Sequence, residues 1–251
     1  MSSTGSPTGF YTGLIGTVYA AAISEQRFGE DRLFTGLVAR ADGTALELGS
    51  GTGRLLLRLL AAGHRVHGLE LSAEMTALCR AQAVSLGLDP VVHQGSFAPL
   101  DASLGGYAAL YCPLNAFSFI VDDDLARESV HSYAAALTPG GILALSGSAG
   151  DAAVLRTRTD WVRRPDVPLG DGRTAHVEER RRTRDGGRLL AVERTVRVVD
   201  PDGRGRTTEE GTQLRRLRPM AELAQLFAEA GFTHLHAYGN DADHVLTGRR
   251  R

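Results

Sequence analysis

One stretch limits the possible folds more than any other: Thr44-Ala-Leu-Glu-Leu-Gly-Ser-Gly-Thr-Gly-Arg54. An apolar strand ends in an acid, three glycines follow at alternate positions, and a leucine-rich helix begins. A strand that passes through a tight glycine turn into a helix N-terminus makes a site for a nucleotide-like ligand. The glycine spacing separates two kinds of ligand. A dinucleotide fingerprint, G-x-G-x-x-G, needs glycine at position 54 after Gly49 and Gly51. Position 54 is Arg, and the third glycine comes one residue early, at Gly53. That spacing argues against NAD or FAD.

The pattern around this stretch predicts alternating strands and helices. One or two helices are expected between residues 10 and 40. Strands are expected at 44–49, 65–70, 91–93, 107–112 and 142–146, with a turn at 138–141. A helix is expected from about 53, closed by Gly63. Ser72 is a good N-cap for the next helix, which runs to about 86 with Gly87 behind it. Asp122, Asp123 and Asp124 mark a further helix N-terminus. Apolar strands alternating with helices predict an α/β protein with a parallel, doubly wound sheet.

From about residue 150 the texture changes. Residues 151–218 hold 17 arginines and 12 acids. Runs at 174–184, 188–199 and 206–218 are separated by Asp185-Gly-Gly187 and Asp200-Pro-Asp-Gly203, which are hairpin signals. An antiparallel meander is expected, its arginines spread over a solvated face in cross-strand Arg–Glu pairs. Pro219 then suits the first position of a helix with Leu223, Leu226, Phe227 and Ala230 on one face and Gly231 at its end. Residues 232–238 and 244–248 read as a closing hairpin.

Composition narrows the function. The chain has 251 residues and a net charge of −1, so no global field recruits nucleic acid or membrane. Cys79 and Cys112 have neither metal nor disulfide spacing, and no metal site is expected. All 28 basic residues are arginine, which excludes a lysine Schiff base, a P-loop lysine and a lysine base. The start, Met1 to Gly9, lacks a basic, apolar leader. A cytoplasmic protein follows as the expectation.

Glu47-Leu-Gly-Ser-Gly-Thr-Gly53 resembles the first motif of class I S-adenosylmethionine (SAM)-dependent methyltransferases. The resemblance continues through Gly63-His-Arg-Val-His-Gly-Leu-Glu-Leu-Ser-Ala-Glu-Met75. It implies a Rossmann-like seven-stranded sheet whose last strand is antiparallel, with the β-meander as an insertion. The organisation then expected is an N-terminal helical cap at 1–40, a SAM-binding core at 41–150, a substrate-side meander at 151–218, and a final helix and strands at 219–251. Meanders at this place are similar to those of small-molecule members such as amino-sugar N-methyltransferases.

The resemblance also implies site residues. Glu70 lies 17 residues after Gly53, where the family's acid takes both ribose hydroxyls; a carboxylate can accept both. Gly49, Ser50, Gly51 and Gly53 would approach the methionine part of SAM. Glu47 would order the loop and the cofactor amino group, and Leu71 would lie on the adenine. Ser96, between Gly95 and Phe97, stands where the family usually has an acid for adenine, which is a departure. Tyr11 and Tyr19 would cover the cofactor or simply pack. Cys112 is cofactor-facing or packed.

No catalytic residue is assigned. Asn115, Tyr19 and Trp161 are candidates, and His93, His131, His236 and His244 are the histidines considered as a base. The function expected is methyl transfer to a small molecule of secondary metabolism, on nitrogen or else on oxygen or carbon. The alternatives are a SAM-binding protein with another chemistry, such as cyclisation, and a nucleic-acid methyltransferase. A homodimer through an exposed meander edge is a further expectation.

Overall fold

The structure, a computed structural model, describes residues 11–24, 26–149, 160–203, 205–240 and 242–251. The expected leader and residues 150–159 lie outside the described residues. Two helices come first, α1 (Gly13–Ile23) and α2 (Asp31–Ala39). The core then runs β1 (Ala45–Leu48), α3 (Leu56–Ala61), β2 (Val66–Glu70), α4 (Ala73–Ser85), β3 (Val92–Gln94), β4 (Tyr107–Cys112), α5 (Asp123–Ala136) and β5 (Leu137–Gly147). Next come β6 (Val162–Arg163), β7 (Val167–Pro168), β8 (Thr174–Arg184), β9 (Leu189–Val199) and β10 (Arg206–Arg216). The chain ends with α6 (Met220–Glu229), β11 (Thr233–Asn240) and β12 (Asp243–Arg249).

The first sheet has seven strands in the order β3-β2-β1-β4-β5-β12-β11. Pairings from β3 across to β5 are parallel, whereas β12 is antiparallel to both β5 and β11. The α/β class and the antiparallel ending therefore match the expectation. All four residues of β1 are buried, as a strand covered on both faces requires. Leu46, Leu48 and Leu110 pack with Tyr133 and Phe227 on one face. Phe34, Leu56 and Tyr111 form the core on the other.

Local signals position these elements. The Ser72 hydroxyl accepts from the Met75 N–H at 3.3 Å, capping α4. Asp122 accepts from the Leu125 N–H at 2.8 Å, capping α5. Four boundaries differ from expectation. α3 starts at Leu56 because the glycine turn continues through Gly53, whose φ is 81°. The expected turn at 138–141 is a bulge inside β5, where the register against β4 shifts between Tyr107 and Ala109. Pro219 is an extended N-cap with ψ 153° rather than the first helical residue. Ala230 is the C-cap just beyond α6, and it still packs against the core cluster that holds Leu223, Leu226 and Phe227.

The second sheet has five strands, ordered β10-β9-β8-β6 with β7 also on β8. The two-residue strands β6 and β7 carried no readable alternation. Ile15 and Val18 of α1 pack on Ala175, Val177, Val196 and Val198 of this sheet. The amide of Leu14 donates to Glu209 at 2.7 Å and that of Gly13 to Glu74 of α4 at 2.8 Å. Helix α1 is thus held between the two sheets. Among the described residues, no helix is long and apolar enough to cross a membrane.

Candidate active site

Strand order reverses between β1 and β4, the place where doubly wound sheets bind ligands beyond their carboxyl ends. A cavity of about 1250 Å³ opens there. Its walls are the glycine turn, α1, the loop after β4, and the inner face of the meander. That volume exceeds the range of about 300–1,000 Å³ usual for one small ligand. It has room for a cofactor and an acceptor together.

Glu70 ends β2 at the cavity wall. Its Oε2 accepts from the Gly51 N–H at 2.8 Å and its Oε1 from the Ser72 N–H at 2.8 Å. Each oxygen keeps a second lone pair for a ligand hydroxyl. Burial pushes this carboxyl above its ordinary value, against the pull of those amides. The turn itself depends on glycine: Gly49, Gly51 and Gly53 all have positive φ.

Glu47 is buried at the floor of the cavity and accepts from the Tyr111 hydroxyl at 2.9 Å. Burial raises its carboxyl to about 8. A group in this state is poised to ionise when a cation arrives. Tyr19 of α1 and Tyr11 just before it cover the cavity, their rings 4.8 Å apart and edge to face. Burial raises the Tyr19 phenol, so it stays neutral.

The structure brings Tyr19, Glu47, Gly49, Ser50, Gly51, Glu70, Leu71, Ser96 and Phe97 to one cavity. Other predicted residues stand apart. A Cβ on Gly53 would lie 2.5 Å from the Cys79 sulfur and 2.9 Å from Leu57, so this glycine serves helix packing. Cys112 is buried in the core cluster and burial pushes its thiol up. Gly95 does not line the cavity, and Ser96 turns its hydroxyl to its own loop, accepting from the Ala98 N–H at 2.9 Å. Asn115, at φ 56°, holds the loop by its backbone: its N–H donates to Ser146 at 2.7 Å and its C=O accepts from Ser118 at 2.6 Å. Trp161 lies outside, under the Arg180 guanidinium at 4.7 Å. His131, His236 and His244 do not reach the cavity either, and His93 belongs to a cluster elsewhere.

Sequence reasoning missed three groups. Arg54 lines the cavity and grips Asp31 with both guanidinium nitrogens, at 2.6 and 2.9 Å. Its guanidinium also lies 4.8 Å over the Phe28 ring. This pair ties α2 to the glycine turn. The residue that broke the dinucleotide pattern was the available signal. Glu30 accepts from the Leu114 N–H at 2.6 Å, and burial raises its carboxyl to about 7.

The third group corrects the expected solvated face of the meander. Glu179 and Arg194 face each other across β8 and β9, as do Arg180 and Glu193, so the cross-strand pairing is real. Glu179 nevertheless is only 4% exposed and lines the cavity. Arg164, Arg194 and Arg181 bond to it at 2.6, 2.7 and 2.8 Å. Burial would raise this carboxyl, but the three arginines outweigh it and hold it at about 2. Two further arginines, Arg216 and Arg218, are buried and bond to Asp123 at 3.2 and 3.1 Å. Paired arginines of this kind leave less charge free for nucleic acid.

The parallel sheet with its antiparallel end, and an acid fixed beside the glycine turn, define the class I methyltransferase fold. Residues 45–141 match the family described as a methyltransferase domain. No curated protein sequence matches the chain. Among solved structures, the sugar N-methyltransferase KedS8 from Streptoalloteichus sp ATCC 53650 superposes with a TM-score of 0.77 at 19% identity, covering 100% of this chain and 97% of that one. CalS10, an amino pentose methyltransferase from Micromonospora echinaspora involved in calicheamicin biosynthesis, gives 0.71 at 22% identity, over 96% and 98%. An S-adenosylmethionine-dependent methyltransferase from Clostridium acetobutylicum ATCC 824 gives 0.72 at 15%, over 93% and 96%. At these identities the superpositions establish the fold.

Proposed function

We propose that the chain is a SAM-dependent methyltransferase acting on a nitrogen of a small metabolite, in the manner of an amino sugar, in natural-product biosynthesis. The observation that supports it most is Glu70. Its carboxylate is fixed by two backbone amides at the switch point and faces a cavity large enough for cofactor and acceptor. The names of KedS8, a sugar N-methyltransferase, and CalS10, an amino pentose methyltransferase, favour the nitrogen acceptor.

The residues present fit the cofactor. Glu70 would take the ribose diol, Leu71 and Phe97 would bound the adenine, and Glu47 would face the methionine ammonium. The cofactor supplies a methyl group already activated on a sulfonium. The chain has to align the acceptor and exclude water. Tyr19 of α1 and the preceding Tyr11 close the cavity, and the Arg54–Asp31 pair holds α2 against the turn. An amine that arrives neutral needs no strong base.

Calorimetric titration with S-adenosylhomocysteine tests the cofactor half. Micromolar binding is expected. Absence of binding sinks the reading. Incubation with SAM and a panel of amino sugars, followed by mass measurement, tests the acceptor half. A gain of one methyl on nitrogen is expected, and methylation confined to hydroxyl acceptors would overturn that half alone.

A further inference from the structure

A second cluster of chemistry-bearing groups lies at the opposite end of the first sheet. His67 is the second residue of β2, His93 the second of β3, and Tyr107 the first of β4. None of the three lines the cavity. The parallel register sets Leu69 beside His93 and Leu46 beside His67. The two histidines therefore sit two positions apart on the same sheet face. Tyr107 precedes by two residues the Ala109 that pairs with the first residue of β1, so its ring passes beyond the amino end of β1 to meet them. It packs edge-on against His67 with ring centroids 5.9 Å apart.

The three heteroatoms form a closed triangle. His67 Nδ1 and His93 Nε2 are 3.4 Å apart, Tyr107 Oη is 3.5 Å from the first and 3.3 Å from the second. Every side is longer than a well-formed hydrogen bond, about 2.7–3.2 Å. Ligands bound at about 2.0–2.1 Å around a tetrahedral ion stand roughly 3.3–3.4 Å from one another. The observed sides fit that edge length. Two neutral imidazole nitrogens are also the ligand type that zinc and its neighbours prefer.

We propose that His67, His93 and Tyr107 form a binding site for a divalent transition-metal ion of the zinc type. Both histidines are partly exposed, which gives an ion access from solvent. The bound ion joins β2, β3 and β4 on one face of the sheet. The two imidazoles supply most of the affinity, and the phenol oxygen closes the third position. Such an ion lies apart from the methyl-transfer site and acts as a structural link, stabilising the folded state by mass action.

The test uses the full, tag-free chain. Zinc chloride is titrated by calorimetry, and cobalt(II) is used as an absorbance probe of tetrahedral coordination. One zinc per chain at micromolar affinity is expected, with the visible cobalt bands of a tetrahedral site and a rise in thermal midpoint. His67→Asn and His93→Asn should each abolish binding, while Tyr107→Phe weakens it about tenfold. His131→Asn, on the exposed face of α5, should bind as the unaltered chain does. Each variant is also titrated with S-adenosylhomocysteine. Unchanged binding there shows that the fold and the cavity survive, so loss of zinc is read at the site itself. No saturable zinc binding by the intact chain, or binding that persists in a His67→Asn, His93→Asn double variant, overturns the proposal.

Discussion

The two walls of the cavity handle buried carboxylates in opposite ways. On the core wall, Glu47 and Glu70 are raised by burial, and their direct partners are a tyrosine hydroxyl and backbone amides. On the meander wall, Glu179 is equally buried but holds three arginines and is lowered to about 2. The difference shows which charges are settled within the protein. The meander carboxylate is a structural hub whose charge is already answered. The core carboxylates are left to be answered by a ligand, and on the proposed function the ammonium and ribose of SAM would supply what each one lacks.

Removing the ligand-facing charge should have the largest effect. Glu70→Ala would remove the acceptor proposed for two ribose hydroxyls. With charge-assisted hydrogen bonds at about 2 kcal/mol each, the affinity for S-adenosylhomocysteine should fall roughly a thousandfold. Calorimetry measures this, and a loss below tenfold would mean that Glu70 merely braces the turn. Glu179→Gln should do the reverse. It strands three arginines at a buried position and should cost about 3 kcal/mol of stability, read as a lowered thermal midpoint. Cofactor affinity should stay within about twofold. Equal loss of cofactor binding in both variants would erase the contrast between the walls.

The core wall was legible in the sequence because its chemistry is local. The glycine turn, Glu47 and Glu70 fall within one strand–helix–strand unit, where the resemblance to class I methyltransferases could be read residue by residue. The meander wall was not, because Glu179 meets Arg194 across two strands and Arg164 from the loop after β6, and no single run displays that register. Alternation correctly marked the strands but could not say which charged face turns inward. The glycines show the same limit on a smaller scale. Gly49, Gly51 and Gly53 look alike in sequence, yet only Gly53 is packed against Cys79 and Leu57. Gly53→Ala should therefore cost about 2–3 kcal/mol, from left-handed strain plus overpacking. Gly51→Ala, with nothing within 4 Å of the added carbon, should cost about 1 kcal/mol from strain alone. Thermal denaturation of the pair separates the two roles, and equal costs would show that the Gly53 contact relaxes freely.

The smallest expected effect, a few degrees in thermal midpoint across the pH range, probes both walls at once. Glu47 has a folded value of about 8 and Glu30 of about 7, against an ordinary 4.5. Between those limits the folded chain keeps protons that the unfolded chain releases. Their contribution is therefore complete below pH 4.5 and is lost as the pH rises through about 7 and 8. Glu179 runs the other way: its contribution is present above 4.5 and is lost as the pH falls through about 2. The ligand-free protein should be most stable near about pH 5 and weaken toward pH 8, and Glu47→Gln should flatten that decline. A cationic ligand group beside Glu47 favours its ionised form, so binding at neutral pH should release a proton and tighten as the pH rises. Titrations with S-adenosylhomocysteine, which bears the same ammonium, in two buffers of different ionisation enthalpy measure that proton. If Glu47→Gln releases as many protons as the unaltered chain, the cofactor's ammonium is answered by another group.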